Sequence, residues 1–282
     1  MQREALVSVV VATRNSARTL DACLQSIRSQ RHSMLELVVV DNHSSDQTPE
    51  IAQRYADVFD SFGPERSAQR NRGAQLARGS YLLFIDSDMA LAPEVISDCL
   101  DAARLSEAPA VVIPEVSVGE GFLARCRALE RSCYLGDDSI EAARFFTREA
   151  FATSGGFDEA LTGPEDWDLS IRIAAGRSLP RTTSYISHDE GRLQLGAVLA
   201  KKRLYAASSI LYFRNHGRST LGQVNLVFRP AFLRNWRRLL PHPILTVGFL
   251  SLKAMEGCAG IWGLFDAWAG RRGTHKTSPK SS

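Results

Sequence analysis

Short apolar runs alternate with helical patterns through the first half of the chain. Residues 6–12 are apolar and β-branched and predict a strand. Thr13-Arg14-Asn15-Ser16 follows, where Asn15 or Ser16 can cap the next helix. Leu20, Leu24 and Ile27 then recur at helical spacing. Residues 35–40 predict a second strand ending at Asp41, and a polar loop from Asn42 to Pro49 leads into a helix reaching Tyr55. A weaker strand is expected at 58–62. A helix capped by Ser67 carries Arg70, Asn71 and Gly73 toward Gly79. Strands alternating with helices predict a parallel sheet with crossover connections.

The strongest signal is Tyr81-Leu82-Leu83-Phe84-Ile85-Asp86-Ser87-Asp88-Met89. Its continuous apolar run reads as a strand buried on both faces. Its C-terminal end delivers Asp86 and Asp88 to the edge where open α/β sheets bind ligands. In extended backbone, residues i and i+2 point the same way, so both carboxylates are expected to face one ion. Two hard oxygen donors suit Mg²⁺ or Mn²⁺, above all an ion already carrying phosphates. Pro93 is expected to open a helix at Glu94.

The second half continues with a strand expected at 110–116, a helix at 119–135 and a short strand at 144–147. A short helix at 149–153 stops at Gly155-Gly156. Glu165-Asp166-Trp167-Asp168 opens a helix running to Gly176, and a last strand at 182–187 leaves His188 just beyond it. Crowding of three carboxylates tends to raise at least one pKa toward a value useful to a base. Helical spacing puts 165 and 168 on one face, which marks Asp168 as structural.

These motifs resemble, in order and spacing, the family 2 glycosyltransferases. They are Val-Ser-Val-Val-Val-Ala-Thr-Arg-Asn at 7–15, Val-Val-Val-Asp-Asn-His-Ser-Ser-Asp-Gln-Thr at 38–48 and Arg-Asn-Arg-Gly at 70–73. Phe-Ile-Asp-Ser-Asp at 84–88, Gly-Gly-Phe-Asp-Glu from 155 and Glu-Asp-Trp-Asp-Leu ending at 169 complete the set. The resemblance covers roughly residues 6–190. It implies an α/β fold of the GT-A type: a Rossmann-like mixed sheet flanked by helices, with a C-terminal helical appendage. It implies an inverting transferase that moves a sugar from a nucleotide-diphosphate sugar, a UDP-sugar being the expected donor, to an acceptor hydroxyl or phosphate. Cell-surface glycan or glycolipid synthesis is the expected setting. Thr13, Arg14, Asn15, Asp41, Asp46, Arg70, Asn71, Asp86 and Ser87 would line the donor site. Asp88 and His188 would hold Mg²⁺ or Mn²⁺, Asp166 would be the general base, and Glu165 stands second for that role. Arg192 and Lys201 are further candidates for the pyrophosphate. Arg14, Asn42 and His43 depart from the residues common at those positions. Ala90 departs from the aspartate-nucleophile phosphatase pattern, which also places Asp-x-Asp after an apolar strand. The other reading of the same fold is a nucleotide-sugar-binding protein without turnover, which metal-dependent donor hydrolysis would exclude.

Composition adds a division. The 282 residues are 44% hydrophobic and 23% charged, which is ordinary for a globular chain with a large core. Five cysteines without a Cys-x-x-Cys read as packed thiols of a reducing compartment. The net charge of +3 is unevenly spread: residues 1–190 carry 19 basic and 29 acidic residues, residues 191–282 carry 15 and 2. A basic C-terminal part suggests an anionic surface as partner. No signal peptide is evident, since the first apolar run is only strand length. Domain limits are expected at 1–220 for the transferase, 221–269 for a basic, amphipathic membrane-association segment and 270–282 for a disordered tail. Residues 193–213 predict a helix interrupted at Lys201-Lys202-Arg203, and 243–265 a largely apolar helix holding Lys253 and Glu256. Two central charges make a simple span costly. Three residues apart, they can pair with each other. Attachment to the cytoplasmic face of a membrane is therefore expected, peripheral or interfacial, with a lipid-linked acceptor as one implication. A true span or re-entrant hairpin, and soluble packing or homodimerisation, are the alternative uses of this segment. Nucleic acid is not expected as a partner, because basic and aromatic residues interleave without any nucleic-acid motif.

Overall fold

The computed structural model describes residues 5–217 and 229–274. The chain divides into two compact units, residues 1–119 with 134–191, and residues 120–133 with 192–282. Residues 221–228 and 275–282, parts of the expected membrane segment and tail, lie outside the described residues.

The first unit is built on a six-stranded sheet. Its strands are β1 (Val7–Thr13), β2 (Leu35–Asp41), β3 (Val58–Ser61), β4 (Tyr81–Asp86), β6 (Ala110–Val112) and β8 (Ala143–Thr147), in the order β3-β2-β1-β4-β8-β6. β1 runs parallel to β2 and β4, and β2 parallel to β3. β8 runs antiparallel to β4 and β6, so the sheet is mixed. β2 lies on one side of β1 and β4 on the other. This reversal of strand order creates the crevice at which such sheets bind ligands.

Strand alternation explains the two apolar layers. Val9, Val11, Val39, Leu83 and Ile85 point to one face and pack with α1 (Leu20–Arg28) and α4 (Val95–Leu105). Val10, Val38, Val40, Leu82 and Phe84 point to the other, toward α3 (Arg66–Leu76), α6 (Arg148–Thr153) and α7 (Glu165–Ala174). α3 lies tight on β1 at Gly73, where a Cβ would come within 2.3 Å of Val10 Cγ1. The remaining helix of this unit is α2 (Thr48–Tyr55).

Several local expectations are corrected. Asp88 is not in extended backbone with Asp86: Ser87 and Asp88 form a turn between β4 and β5 (Met89–Leu91). The strand expected at 110–116 breaks at Ile113-Pro114, because β7 (Glu115–Glu120) joins a second, three-stranded sheet with β5 and β9 (Ile186–Arg192), in the order β5-β9-β7. β9 starts later than predicted, so His188 lies inside it, paired with Met89. α3 is capped by Glu65, whose side chain accepts from Ala68 N, rather than by Ser67. α1 begins after Thr19, and neither Asn15 nor Ser16 caps it; Asn15 has a φ of 48°. α4 starts at Val95, one residue after its expected opening.

The second unit is helical: α5 (Gly121–Ser132), α8 (Leu195–His216), the short α9 (Pro230–Arg234) and α10 (Trp236–Leu239), and α11 (Pro243–Thr274). α8 runs through Lys201-Lys202-Arg203 without a break. α11 continues past 269, so the first residues of the expected tail are helical. All five cysteines are free thiols; four are buried and Cys258 is exposed.

Candidate active site

The register of the parallel strands brings the site together. Thr13 is level with Asp41 across β1 and β2, and Ala12 is level with Asp86 across β1 and β4. The loops after these strands are stitched to one another. Asn15 N donates to Ser44 Oγ at 2.7 Å, and Ser45 N donates to Asn15 Oδ1 at 2.9 Å. Ser16 N donates to Thr48 Oγ1 at 2.7 Å, and Ser87 Oγ donates to Ser16 Oγ at 2.8 Å. Gln69 Nε2 ties the strand ends from below, donating to Thr13 O at 2.9 Å and Val40 O at 2.7 Å.

Arg70 is the centre of the charged cluster. Its side chain is fully buried. It donates to Asp86 Oδ1 at 2.5 Å and to Asp166 Oδ1 at 2.8 Å. Its guanidinium lies 5.1 Å from the Phe157 ring centroid, a cation–π contact. Burial alone would raise the Asp86 pKa, but the guanidiniums of Arg70, Arg66 and Arg144 hold it well below the usual carboxylate range. Asp166 goes the other way. Burial raises it, Arg70 and Arg144 oppose that, and the neighbouring charge of Glu165 adds to the rise.

The two candidate bases are in different surroundings. Glu165 is buried, ion-paired to Arg66, and accepts from Gly163 N. Burial works against its charge, but Arg66 and Arg70 keep its pKa lowered. Asp166 is partly open, with 22% of its side chain exposed. Asp168 faces inward and pairs with Arg172 at 2.6 Å, and Arg172 also donates to the carbonyls of Ser154 and Gly156. That pair locks the Gly155-Gly156 turn beneath the site.

Asp88 leans on the second sheet. Its Oδ2 lies 3.3 Å from His188 Nε2, since β9 pairs with β5 directly after the turn. Its Oδ1 is buried with no hydrogen-bond partner among the described residues. The carboxylate suits Mg²⁺ or Mn²⁺, and the imidazole beside it suits a transition-metal ion rather than Mg²⁺. Among the described residues no group of three or more His, Cys, Asp or Glu is preassembled for a metal. Most of the coordination would thus fall to diphosphate oxygens and water, as is usual for Mg²⁺.

Other expected donor-site residues have contacts within the protein. Asp41 is buried and accepts from Ser44 N at 2.8 Å and Ser44 Oγ at 2.5 Å. Asp46 accepts from Thr48 N and Ala17 N, heading α2 and tying it to the β1 loop. Asn71 holds Phe157 through both its carbonyl and its amide groups. Thr13 Oγ1 is buried without a partner among the described residues. Arg14 is exposed on the loop. Arg192 and Lys201 belong to the second unit.

The sequence pattern alone did not single out Arg66, Arg144 or Glu115. Arg144 on β8 donates from Nε to Glu115 Oε1 at 2.6 Å and lies 3.5 Å from Asp86 Oδ2. Glu115 in turn lies 3.7 Å from His188 Nδ1. A continuous chain results: Asp166, Arg70, Asp86, Arg144, Glu115, His188, Asp88. The available signal was Arg144 itself, a charge inside the apolar run Ala-Arg-Phe-Phe of a buried strand.

The Glycosyl transferase family 2 model matches residues 8–156, more than half of the chain, and the chain belongs to that family. Among curated relatives, a PGL/p-HBAD biosynthesis glycosyltransferase of Mycobacterium bovis is 28% identical over 183 residues, 62% of this chain and 72% of the relative. The putative glycosyltransferase EpsH of Bacillus subtilis is 34% identical over 103 residues, 34% of this chain, and the match spans only 30% of that relative. Among solved structures, the mannosyltransferase PcManGT from Pyrobaculum calidifontis, in complex with GDP-Man and Mn²⁺, aligns with a TM-score of 0.63 at 18% identity, over 94% of this chain and 88% of that one. S. aureus TarS residues 1–349, in complex with UDP-GlcNAc, align with a TM-score of 0.54 at 20% identity, over 72% of this chain and 66% of that one. At these identities the structural likeness is one of fold, the GT-A fold.

Proposed function

We propose that this chain is an inverting glycosyltransferase that takes a nucleotide-diphosphate sugar, a UDP-sugar in the first instance, and transfers the sugar to an acceptor hydroxyl or phosphate. The observation that carries the reading is Arg70, which joins Asp86 at the strand end to Asp166 at the head of α7. It sets a strongly ionised carboxylate beside one whose pKa is raised. That separation is the usual mark of divided roles.

In this reading Asp166 is the general base. Arg70 binds its Oδ1, and Oδ2 takes the proton of the acceptor hydroxyl. The acceptor oxygen then attacks the anomeric carbon opposite the diphosphate. The bond between that carbon and the diphosphate oxygen breaks, and the configuration inverts, as in inverting hydrolases. A raised pKa makes Asp166 a better proton acceptor at neutral pH than an ordinary carboxylate. Asp86, kept charged by its arginines, receives donor hydroxyls. Asp88 and His188 would hold the divalent ion, which when bound would neutralise the leaving diphosphate. The crevice beside Thr13, Asn15 and Asp41 takes the nucleoside, with Arg14, Asp46, Asn71 and Ser87 shaping its rim. A lipid-linked acceptor and a place on the cytoplasmic face of a membrane agree with the basic character of the second unit.

The reading is tested by a thermal-shift panel of nucleotide-sugars with Mn²⁺. A ligand at 100 times its Kd stabilises by about 2.7 kcal/mol, so one donor class should raise Tm and others should not. No shift with any nucleotide diphosphate would contradict it.

A further inference from the structure

The long helix α11 buries two charged residues and exposes several large apolar ones. Lys253 Nζ lies 2.6 Å from Glu130 Oε1 and 2.8 Å from Glu256 Oε2. Arg127 lies 3.1 Å from Glu130 Oε2 and pairs with Glu256 as well. These two cations and two anions form an ion quartet between α5 and α11 that also faces Lys202 of α8, and Lys253 and Glu256 are 2% and 0% exposed. Phe249, Leu252, Lys253, Glu256 and Gly263 share that inward face of α11 by helical spacing. The opposite face carries Ile244, Val247, Leu250, Ile261, Trp262 and Phe265, each between 45% and 75% exposed.

A helix on a water-soluble surface has the reverse arrangement. Single exposed apolar residues are ordinary, but a continuous stripe of them marks an interaction site. Ionisable groups that turn inward and pair with one another are what a helix in lipid requires. Exposed to lipid, Lys253 and Glu256 would make deep insertion costly, and their burial in the quartet lowers that cost.

We infer that the outward face of α11 lies in the acyl region of an anionic bilayer, with the ion quartet turned away from lipid. The apolar segment Pro243–Asp266 is 24 residues long, about 36 Å at the α-helical rise, on the scale of the ~30 Å hydrocarbon layer. Leu233, Trp236 and Leu240 are exposed beside Arg234, Arg237 and Arg238, the mixture that anchors a helix at headgroup level. A groove of about 1030 Å³ between α8 and α11, lined by Leu199, Leu204, Met255, Ala259 and Trp262 together with the Arg203–Asp266 ion pair, shares Trp262 with the exposed stripe. Charge decides between lipid and a second copy of the chain. With 15 basic and 2 acidic residues in 191–282, two copies would bring like charge together, whereas anionic lipid complements it.

The test uses the full chain and two vesicle compositions, phosphatidylcholine alone and phosphatidylcholine with phosphatidylglycerol. The protein should float with the anionic vesicles, and 1 M salt should loosen it only in part, because salt screens the arginines but not the inserted face. Vesicles with brominated acyl chains should quench its tryptophan fluorescence, and Trp262→Phe should reduce the quenching. The double variant Ile261→Glu/Phe265→Glu should lower vesicle affinity at least tenfold while its circular dichroism and donor-induced thermal shift stay as in wild type. Unaltered vesicle binding by that variant would overturn the inference, as would a wild-type chain that ignores vesicles. A wild-type dimer in light scattering that the same variant dissociates would assign the face to a second copy. Vesicle binding and donor binding are read separately, so failure here leaves the transfer reading intact. If the double variant does not fold, bromine quenching of the unaltered chain still decides.

Discussion

Arg70 and Asp166, 96 residues apart in the chain, are joined by a 2.8 Å hydrogen bond from a fully buried guanidinium to a partly open carboxylate. The bond opposes the rise in the Asp166 pKa that burial produces. A base must be deprotonated, so turnover should fall as pH falls through the Asp166 pKa, which lies above the ordinary carboxylate value. Arg70→Gln removes the opposing charge and should move that acid limb to higher pH. The check is a pH–rate profile of both proteins, with folding followed by circular dichroism. An acid limb that stays in place or moves down would separate Arg70 from the base.

Metal binding should depend on a residue outside the expected ligands. Glu115 lies 3.7 Å from His188 Nδ1, while His188 Nε2 faces Asp88 at 3.3 Å. Carboxylates that orient a ligating histidine typically change metal affinity 10–100-fold when altered. Calorimetry of Mn²⁺ with nucleotide diphosphate should therefore show a loss of about that size in Glu115→Gln. In Asp88→Asn the metal-dependent part of binding should vanish. Wild-type Mn²⁺ affinity in both variants would place the ion elsewhere.

Packing of α3 on β1 gives a stability prediction. A Cβ at Gly73 would meet Val10 Cγ1 at 2.3 Å. Gly73→Ala should cost about 1–3 kcal/mol, the usual penalty for overpacking a filled core. Val10→Ala in the same chain should recover part of it, because contacting sites are not additive. Equal losses with and without the Val10 change, in denaturant titration, would show that the helix moves aside instead.

The layout of the sheet was legible because each strand announces itself locally. Residues 6–12, 35–40 and 81–86 are apolar runs closed by polar residues, and their C-terminal ends are level in the structure. What was not legible arises from pairing between distant segments. His188 lies in a strand because β9 pairs with β5, and the pattern Ile-Ser-His-Asp-Glu has no apolar alternation to announce it. The turn at Ser87-Asp88 separates two carboxylates that an extended segment would have aligned, and Asp86 is engaged by two arginines instead. Lys253 and Glu256 are three residues apart and do pair, as spacing allows, but their contacts with Arg127 and Glu130 are set by helix packing. Glu165 and Asp168 share the inward face predicted from helical spacing, which leaves Asp166 opening outward.

In the proposed function, Asp166 takes the acceptor's proton in a transfer from a nucleotide-diphosphate sugar. The most direct test compares wild type with Asp166→Asn for nucleotide-diphosphate release and donor affinity in Mn²⁺. The folded-state pKa of Asp166 is raised, so its contribution to stability is present at low pH and is lost as pH rises through that value. At pH 7 the variant should accordingly be no less stable than wild type. Release should slow by roughly 10²–10⁴, the usual contribution of a positioned proton acceptor, while the donor Kd changes only a few-fold. Equal release by the two proteins, with donor binding intact in both, would contradict the account.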